Sequence, residues 1–349
     1  MHSLLLAGDV GGTKTVLALV TPSGGGVRVV AEAQFENRGY ASLAEIVAEF
    51  LAGHRAAGVS RASFSVAGPV IGGGVTLSNL SWPEVDEQAF AAELGFESVR
   101  LVNDLQATAY ALPFLSSGHL LTLQPGRGEA LAARAVIAPG TGLGEAFLVP
   151  AGNGFHAFPS EGGHADFAPA DALQGELCRY LLDREGRVSV EDVCSGRGIP
   201  TLYGFLRGRP GAREPAWLAD ELAAAADPTP VIVEAALDTT RPAPLCVETL
   251  RLFASILASE AGNLALRTLA TGGVYLGGGI PPRILPVLRG DEFVAGFRRK
   301  ARLTELLSEI PLHVVLEPRT ALFGAARYGF DLASAVRPPT PAPLGVALP

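Results

Sequence analysis

The 349 residues are 48% hydrophobic and 18% charged, with 42 Gly and 26 Pro, a globular and loop-rich composition rather than a disordered or fibrous one. That length exceeds what one core usually sustains, so two lobes with a cleft between them are expected. The net charge of -8 argues against sequence-independent binding to nucleic acid or anionic membranes, which needs clustered Lys and Arg. Along the chain, strand-like runs at 3–9, 15–20 and 27–33 are separated by Gly-rich turns and predict a β-meander. A helix over 42–54, a strand at 62–66, a loop holding Asn79 and Trp82, a helix over 85–94 and a strand at 99–102 follow, an α/β order.

A second lobe is expected from about residue 115, where strands 135–138 and 146–149 flank another Gly loop and weakly repeat the opening hairpin. Helical patterns cover 171–183, 217–225 and 247–270, then a strand at 273–276 meets a third Gly cluster. A strand at 312–316 and a helix over 320–330 close the pattern, and a Pro-rich tail is placed at 331–349. Cys178, Cys194 and Cys246 are odd in number and widely spaced, which suits a reducing compartment, and no CxxC pair offers a zinc site. The N-terminal apolar run lacks a basic flank and ends in Asp9, so it reads as a buried strand. No later stretch approaches the roughly 18 apolar residues of a membrane span.

The string GDVGGTKT contains Asp9, Gly11, Gly12, Thr13 and Lys14. It is no Walker loop, because Thr13 precedes Lys14, and no dinucleotide fingerprint, because a strand pattern follows where a helix is required. What remains is a hairpin turn whose glycines bring backbone N–H groups to phosphate oxygens, with Thr13 as a hydroxyl donor and Asp9 able to hold a metal ion directly or through water. An ordinary Gly turn beside a solvated Asp is the alternative. Gly140, Thr141 and Gly142 repeat the logic in the second lobe, and Gly277, Gly278 and Gly279 end a strand where a flat nucleoside could lie against backbone.

Taken together, GDVGGTKT, VNDLQATAYALP, APGTGLGEA, SEGGHADFAP, VSVEDVCSG, GNLALRTLATGGVYLGGGI and ALFGAARYG make the chain resemble the bacterial glucokinase family of the hexokinase, Hsp70 and actin superfamily, over about residues 4 to 330. The resemblance implies a two-lobed actin-like ATPase (ribonuclease H-like) fold with a central cleft. The small α/β lobe would be 1–114 plus about 318–330, the large lobe 115–317, with ATP between them and sugar at the bottom of the cleft. It implies a cytoplasmic, ATP- and Mg²⁺-dependent kinase, a homodimer, that phosphorylates the 6-hydroxyl of glucose. Carried over residue by residue, Asp104 matches the catalytic base, Asn103, Glu161, His164 and Glu191 match sugar ligands, and Asp9 lies near Mg²⁺.

Elementary chemistry is compatible with these placements. A carboxylate at the carboxyl end of a strand can take a proton from a sugar hydroxyl as phosphorus approaches, although Asp104 could equally cap the helix that begins there. Carboxylates accept hydrogen bonds from polyol hydroxyls, and a metal site is the alternative for the Glu161–His164 pair. The chain departs from the related sugar kinases and repressors that carry a zinc-binding Cys cluster, since none follows His164 and no DNA-binding helix-turn-helix precedes Gly8. The competing functions are a same-fold kinase for mannose, fructose or an amino sugar, and a catalytically silent sugar sensor.

Overall fold

The computed structural model describes residues 4–23, 26–54, 58–77, 80–152 and 154–334. Two compact units divide the chain, one drawn from Met1–Phe114 and Arg319–Pro349, the other Leu115–Pro318.

The first unit contains β1 (Leu5–Val10), β2 (Lys14–Ser23), β3 (Gly26–Glu36), α1 (Leu43–Gly53), β4 (Arg61–Val66), the short pair β5 (Gly74–Val75) and β6 (Val85–Asp86), α2 (Glu87–Leu94), β7 (Ser98–Asn103) and α3 (Asp104–Ala111). Its five-stranded sheet has the order β3-β2-β1-β4-β7, antiparallel through the first three strands and parallel from β1 to β7. Both faces are covered, which is why the opening run is continuously apolar instead of alternating. Leu6, Val10, Leu17 and Phe64 pack with Phe50 of α1 and Phe90 of α2, whereas Leu5, Ala7, Ala18 and Val20 face the opposite way.

The second unit contains β8 (Leu120–Gln124), β9 (Arg134–Pro139), β10 (Leu143–Ala151), β11 (Gly154–Ser160), α4 (Ala172–Glu185), α5 (Val190–Val193), α6 (Gly198–Arg207), α7 (Ala216–Ala224), α8 (Pro228–Leu237), α9 (Pro244–Thr268), β12 (Val274–Leu276), α10 (Leu285–Leu288), α11 (Asp291–Arg298), α12 (Thr304–Glu309) and β13 (Leu312–Val315). Its sheet runs β11-β10-β9-β12-β13-β8. The antiparallel β11-β10-β9 ribbon followed by parallel β12 and β13 repeats the layout of the first sheet, so the weak sequence repeat reflects a real structural one. Long α9 is buried along most of its length, with Leu250, Phe253, Leu257, Ala261 and Leu264 in the core at helical spacing. The last helix, α13 (Thr320–Ser334), belongs to the first unit, where Leu322, Ala326 and Phe330 cover the second face of the sheet.

Several boundaries differ from the sequence reading. The helix expected from residue 85 begins at Glu87, because Val85–Asp86 pairs with Gly74–Val75 and the Asp86 carboxylate caps α2 by accepting from the N–H groups of Gln88 (3.0 Å) and Ala89 (2.9 Å). Helix α13 runs on to Ser334, so the tail boundary at 331 falls inside it; residues 335–349 and Asn79 lie outside the described residues. Strand β11 carries Pro159, which the sheet edge tolerates because one side of an edge strand needs no donors. Helix α8, a segment to which the sequence reading assigned no element, begins at Pro228 with Asp227 as its cap.

Candidate active site

In the first unit the parallel strands β1, β4 and β7 end side by side, and their carboxyl ends carry the candidate residues. Asp9 lies across from Ser65, whose hydroxyl donates to Asp9 Oδ1 at 2.8 Å. Burial raises the Asp9 carboxyl above its usual range, and the Ser65 bond only partly opposes this. Asn103, the last residue of β7, is the cap of α3: its Oδ1 accepts from the N–H groups of Leu105 (3.0 Å) and Gln106 (3.2 Å). The capping role weighed for Asp104 therefore falls to its neighbour. Asn103 Nδ2 donates to the Gly68 carbonyl (3.1 Å) and to Asp104 Oδ1 (3.0 Å), so every hydrogen-bonding position of the amide is occupied. Asp104 Oδ1 also accepts from the Leu105 N–H at 2.9 Å. Burial, reinforced by the charge of Asp9 and opposed by these donors, raises Asp104 to about 6.

The turn between β1 and β2 is closed by the Gly11 N–H donating to the Lys14 carbonyl at 2.9 Å, and Gly12, Thr13 and Lys14 are exposed. Lys14 forms an ion pair with Glu36 at 3.4 Å. Beneath the turn, buried Asn37 donates from Nδ2 to the Gly11 carbonyl (2.8 Å), accepts at Oδ1 from the Thr15 hydroxyl (2.8 Å), and donates its own N–H to the Thr13 carbonyl (2.9 Å).

In the second unit the remaining candidates gather at one end of the sheet. The β9–β10 turn of Gly140, Thr141 and Gly142 closes through the Gly140 N–H to the Gly142 carbonyl at 2.8 Å. Gly277, Gly278 and Gly279 follow β12, parallel to β9, and the Gly277 N–H donates to the Ile137 carbonyl at 2.9 Å. Gly278 has φ +79°, and a β-carbon there would crowd the Pro139 carbonyl, so glycine is required for this approach. Glu161 and His164 sit exposed on the turn after β11, 3.9 Å apart. Among the described residues no group of three His, Cys, Asp or Glu side chains is placed to hold a metal ion, so the pair lacks the ligands a metal site needs. Glu191 on α5 approaches from the other side: its Oε2 accepts the Leu143 N–H at 2.7 Å, and α5 is tied to the same turn by the Val190 N–H to the Ala165 carbonyl (2.9 Å).

A sequence profile of the glucokinase family matches residues 6–331. The glucokinase of Trichormus variabilis is 40% identical over 338 residues, covering 93% of this chain and 98% of that protein. The chain belongs to the glucokinase family. A crystal structure of glucokinase from an Antarctic psychrotroph superposes with TM-score 0.83 at 30% identity, over 95% of this chain and 100% of that one. A ROK family glucokinase from Streptomyces griseus, in complex with glucose and AMPPNP, superposes with TM-score 0.61 at 19% identity, over 94% and 99%. This glucokinase-family chain thus has two α/β units of the actin-like ATPase type. No helix among the described residues is long and apolar enough to cross a membrane.

The donor set fits the nucleotide and cation that kinase chemistry uses. Exposed Gly12 and Thr13 have no backbone hydrogen-bond partner for their N–H groups among the described residues, leaving them for phosphate oxygens. Asp9 offers a single half-buried carboxylate, and Mg²⁺ is commonly held by one or two carboxylates with water and substrate phosphate completing its shell.

Sequence reasoning missed Asn37, Ser65, Glu145 and Arg197. Asn37 and Ser65 give no signal, because their importance lies in contacts 26 and 56 residues away along the chain. Arg197 is marked only by position, its guanidinium lying 3.4 Å from the Thr141 carbonyl and 3.5 Å from Glu191 Oε1. Glu145 did leave a trace, a charged residue on the same strand face as buried Leu143.

Proposed function

We propose that this chain transfers the γ-phosphoryl group of Mg-ATP to the 6-hydroxyl of glucose, giving glucose 6-phosphate and ADP. The activity rests on the near full-length match to proteins named glucokinase. Asp104 takes the proton from the sugar hydroxyl as the bond to phosphorus forms, and Asn103 orients it by donating to Oδ1. A carboxyl held at about 6 is ionised at neutral pH yet basic enough to share a proton with a reacting hydroxyl. Because the Asn103 amide is already saturated, its contact with sugar requires exchanging one of its present partners.

Glu161, His164 and Glu191 hold the other hydroxyls, whose hydrogen bonds to a carboxylate are worth about 1.5–3 kcal/mol each. The turns at Gly11–Thr13 and Gly140–Gly142 take phosphate oxygens on backbone N–H groups and on the Thr13 and Thr141 hydroxyls, and Gly277–Gly279 backs the nucleoside. Asp9 holds Mg²⁺, directly or through water; once bound, the cation offsets negative charge on the phosphate oxygens. The family resemblance further supports a cytoplasmic homodimer, which sedimentation tests for oligomeric state.

Coupled assays of ADP formation with glucose, mannose, fructose and glucosamine test the reading. Glucose should give the highest kcat/KM. A higher value for another hexose would move the chain to a different sugar kinase, and sugar binding without turnover would make it a sensor.

A further inference from the structure

One buried charged residue has no place in the chemistry described above. Glu145 is 1% exposed, and its Oε1 accepts no hydrogen bond among the described residues. A buried carboxyl oxygen without a hydrogen bond costs stability, so the retention of Glu145 asks for a reason. Its surroundings supply one. Glu145 lies opposite Ser160 in the β10–β11 ladder, and Ser160 accepts the Gly162 N–H at Oγ (3.0 Å) as the chain turns into Glu161–His164. The Glu145 carboxyl fills the space over Gly162, where a β-carbon would overlap it. Two residues before it, the Leu143 N–H holds Glu191. One short stretch of β10 therefore underlies the supports of Glu161, His164 and Glu191.

We propose that Glu145 is a positioning residue: its carboxyl packs under Gly162, holds the turn carrying Glu161 and His164, and so sets the affinity for sugar without touching sugar or phosphate. The inference rests on the reading that those residues bind the hexose. The groups facing Glu145 define how it responds to pH. From α9, Glu260 faces it, buried and already paired with Arg267 at 2.6 Å and with the Asn263 amide at 2.8 Å. Lys300 is taken up by Asn263 and the Ser259 carbonyl. Cys194, following α5, is buried as a thiol whose ionisation Glu260 and Glu145 both oppose. On the remaining side are Ser160 and the uncharged Gly162 backbone, with Glu161 and His164 exposed to solvent on the same turn.

Burial and the Glu260 charge raise Glu145 to about 7, with Arg267 opposing. The sign follows. A folded-state value above the ordinary carboxyl range means the fit under Gly162 is intact below neutral pH and weakens as pH rises through about 7. Once ionised, the carboxylate is repelled from α9 and pushed toward the turn, which is the one side carrying no buried charge. Glucose binding that seats the turn should then take up a fraction of a proton near neutral pH.

Calorimetric titration of the whole protein with glucose alone, in buffers of differing ionisation enthalpy, tests this. The wild-type dissociation constant should rise at least about threefold between about pH 6 and pH 8.5, with proton uptake near pH 7. E145Q keeps the volume but cannot ionise, so its profile should lose that rise and that uptake; any slope from other groups remains in both proteins and cancels in the difference. E145A should raise KM for glucose about tenfold while kcat changes less than about twofold, and G162A should weaken glucose binding less in the E145A background than alone. Superimposable pH profiles for wild type and E145Q would overturn the proposal, even if E145A does not fold. A parallel E161A titration keeps the two readings apart. Unchanged affinity there would refute the sugar site itself, and the positioning role with it, whereas weakened affinity with superimposable E145Q and wild-type profiles would refute the positioning role alone.

Discussion

The two glycine hairpins are built alike and supported differently. Beneath the turn between β1 and β2, Asn37 meets Gly11, Thr13 and Thr15 with both ends of its side chain and its N–H, and every bond is between 2.8 and 2.9 Å. Among the described residues the turn between β9 and β10 has no buried counterpart of Asn37; the side chain that reaches it is exposed Arg197, 3.4 Å from the Thr141 carbonyl. That turn is pinned by the Gly196 N–H to the Gly140 carbonyl (2.7 Å) and by Glu191 on the Leu143 N–H, and the Glu145 carboxyl two residues further on leaves its Oε1 without a hydrogen bond among the described residues. A buried polar network that is fully satisfied fixes one geometry, whereas a partly satisfied one has somewhere else to go. The first turn is accordingly the more firmly held of the two, in the same unit as the proposed base. The second shares its supports with the proposed sugar ligands, so binding there would be open to adjustment.

The sharpest way to break this division is at the base. D104N keeps the shape and loses the proton acceptor, so turnover should fall by about 10²–10⁴ while glucose affinity, for which three of the four proposed ligands lie in the second unit, is largely retained. Melting temperature separates this loss from unfolding. Asp104 sits above the ordinary carboxyl value, so its contribution to stability is present below about pH 4 and lost as pH rises through about 6. The amide should thus melt no lower than wild type at neutral pH. Next in size, E161A or E191A should weaken calorimetric glucose binding by at least about 1.5 kcal/mol. E191A should also raise KM for ATP, because it frees Leu143 at the base of the second turn. An E191A variant that loses sugar affinity but keeps its ATP KM would break the claim that this turn is shared.

N37A tests the other side of the comparison. It leaves buried donors and acceptors unpaired and should cost about 1–3 kcal/mol of stability, raise KM for ATP, and leave glucose affinity unchanged. A change in glucose affinity alone would reverse the assignment of the two turns. The smallest effect expected is in the pH profile of kcat/KM, whose acid limb should fall below about pH 6 as Asp104 takes up its proton. A limb near 4 would mean that the burial of Asp104 is relieved in the working enzyme.

The parts of the fold legible in the sequence were those with local causes. The apolar runs of β1 and β2 and the Gly turns announce themselves through hydrophobic pattern and backbone geometry. The repeat of the opening hairpin was visible as well, because it recurs in the second sheet with its glycines in place. What was hidden depends on partners far along the chain. Nothing near Asn37 tells of Gly11, and Ser65 becomes a partner of Asp9 only when β4 pairs with β1. Capping of α3, weighed for Asp104 as the alternative to its role as base, falls one residue earlier because Asn and Asp are both favoured caps, and only the hydrogen bonds of Asn103 decide between them.

One assay addresses the central claim most directly: ADP formation at saturating ATP, with and without glucose, for wild type beside D104N. The account predicts that glucose raises the wild-type rate far above the sugar-free rate, with one glucose 6-phosphate formed per ADP, and that D104N shows little of this increase. Equal ATP consumption with and without glucose, or D104N turning over at more than half the wild-type rate, would contradict it.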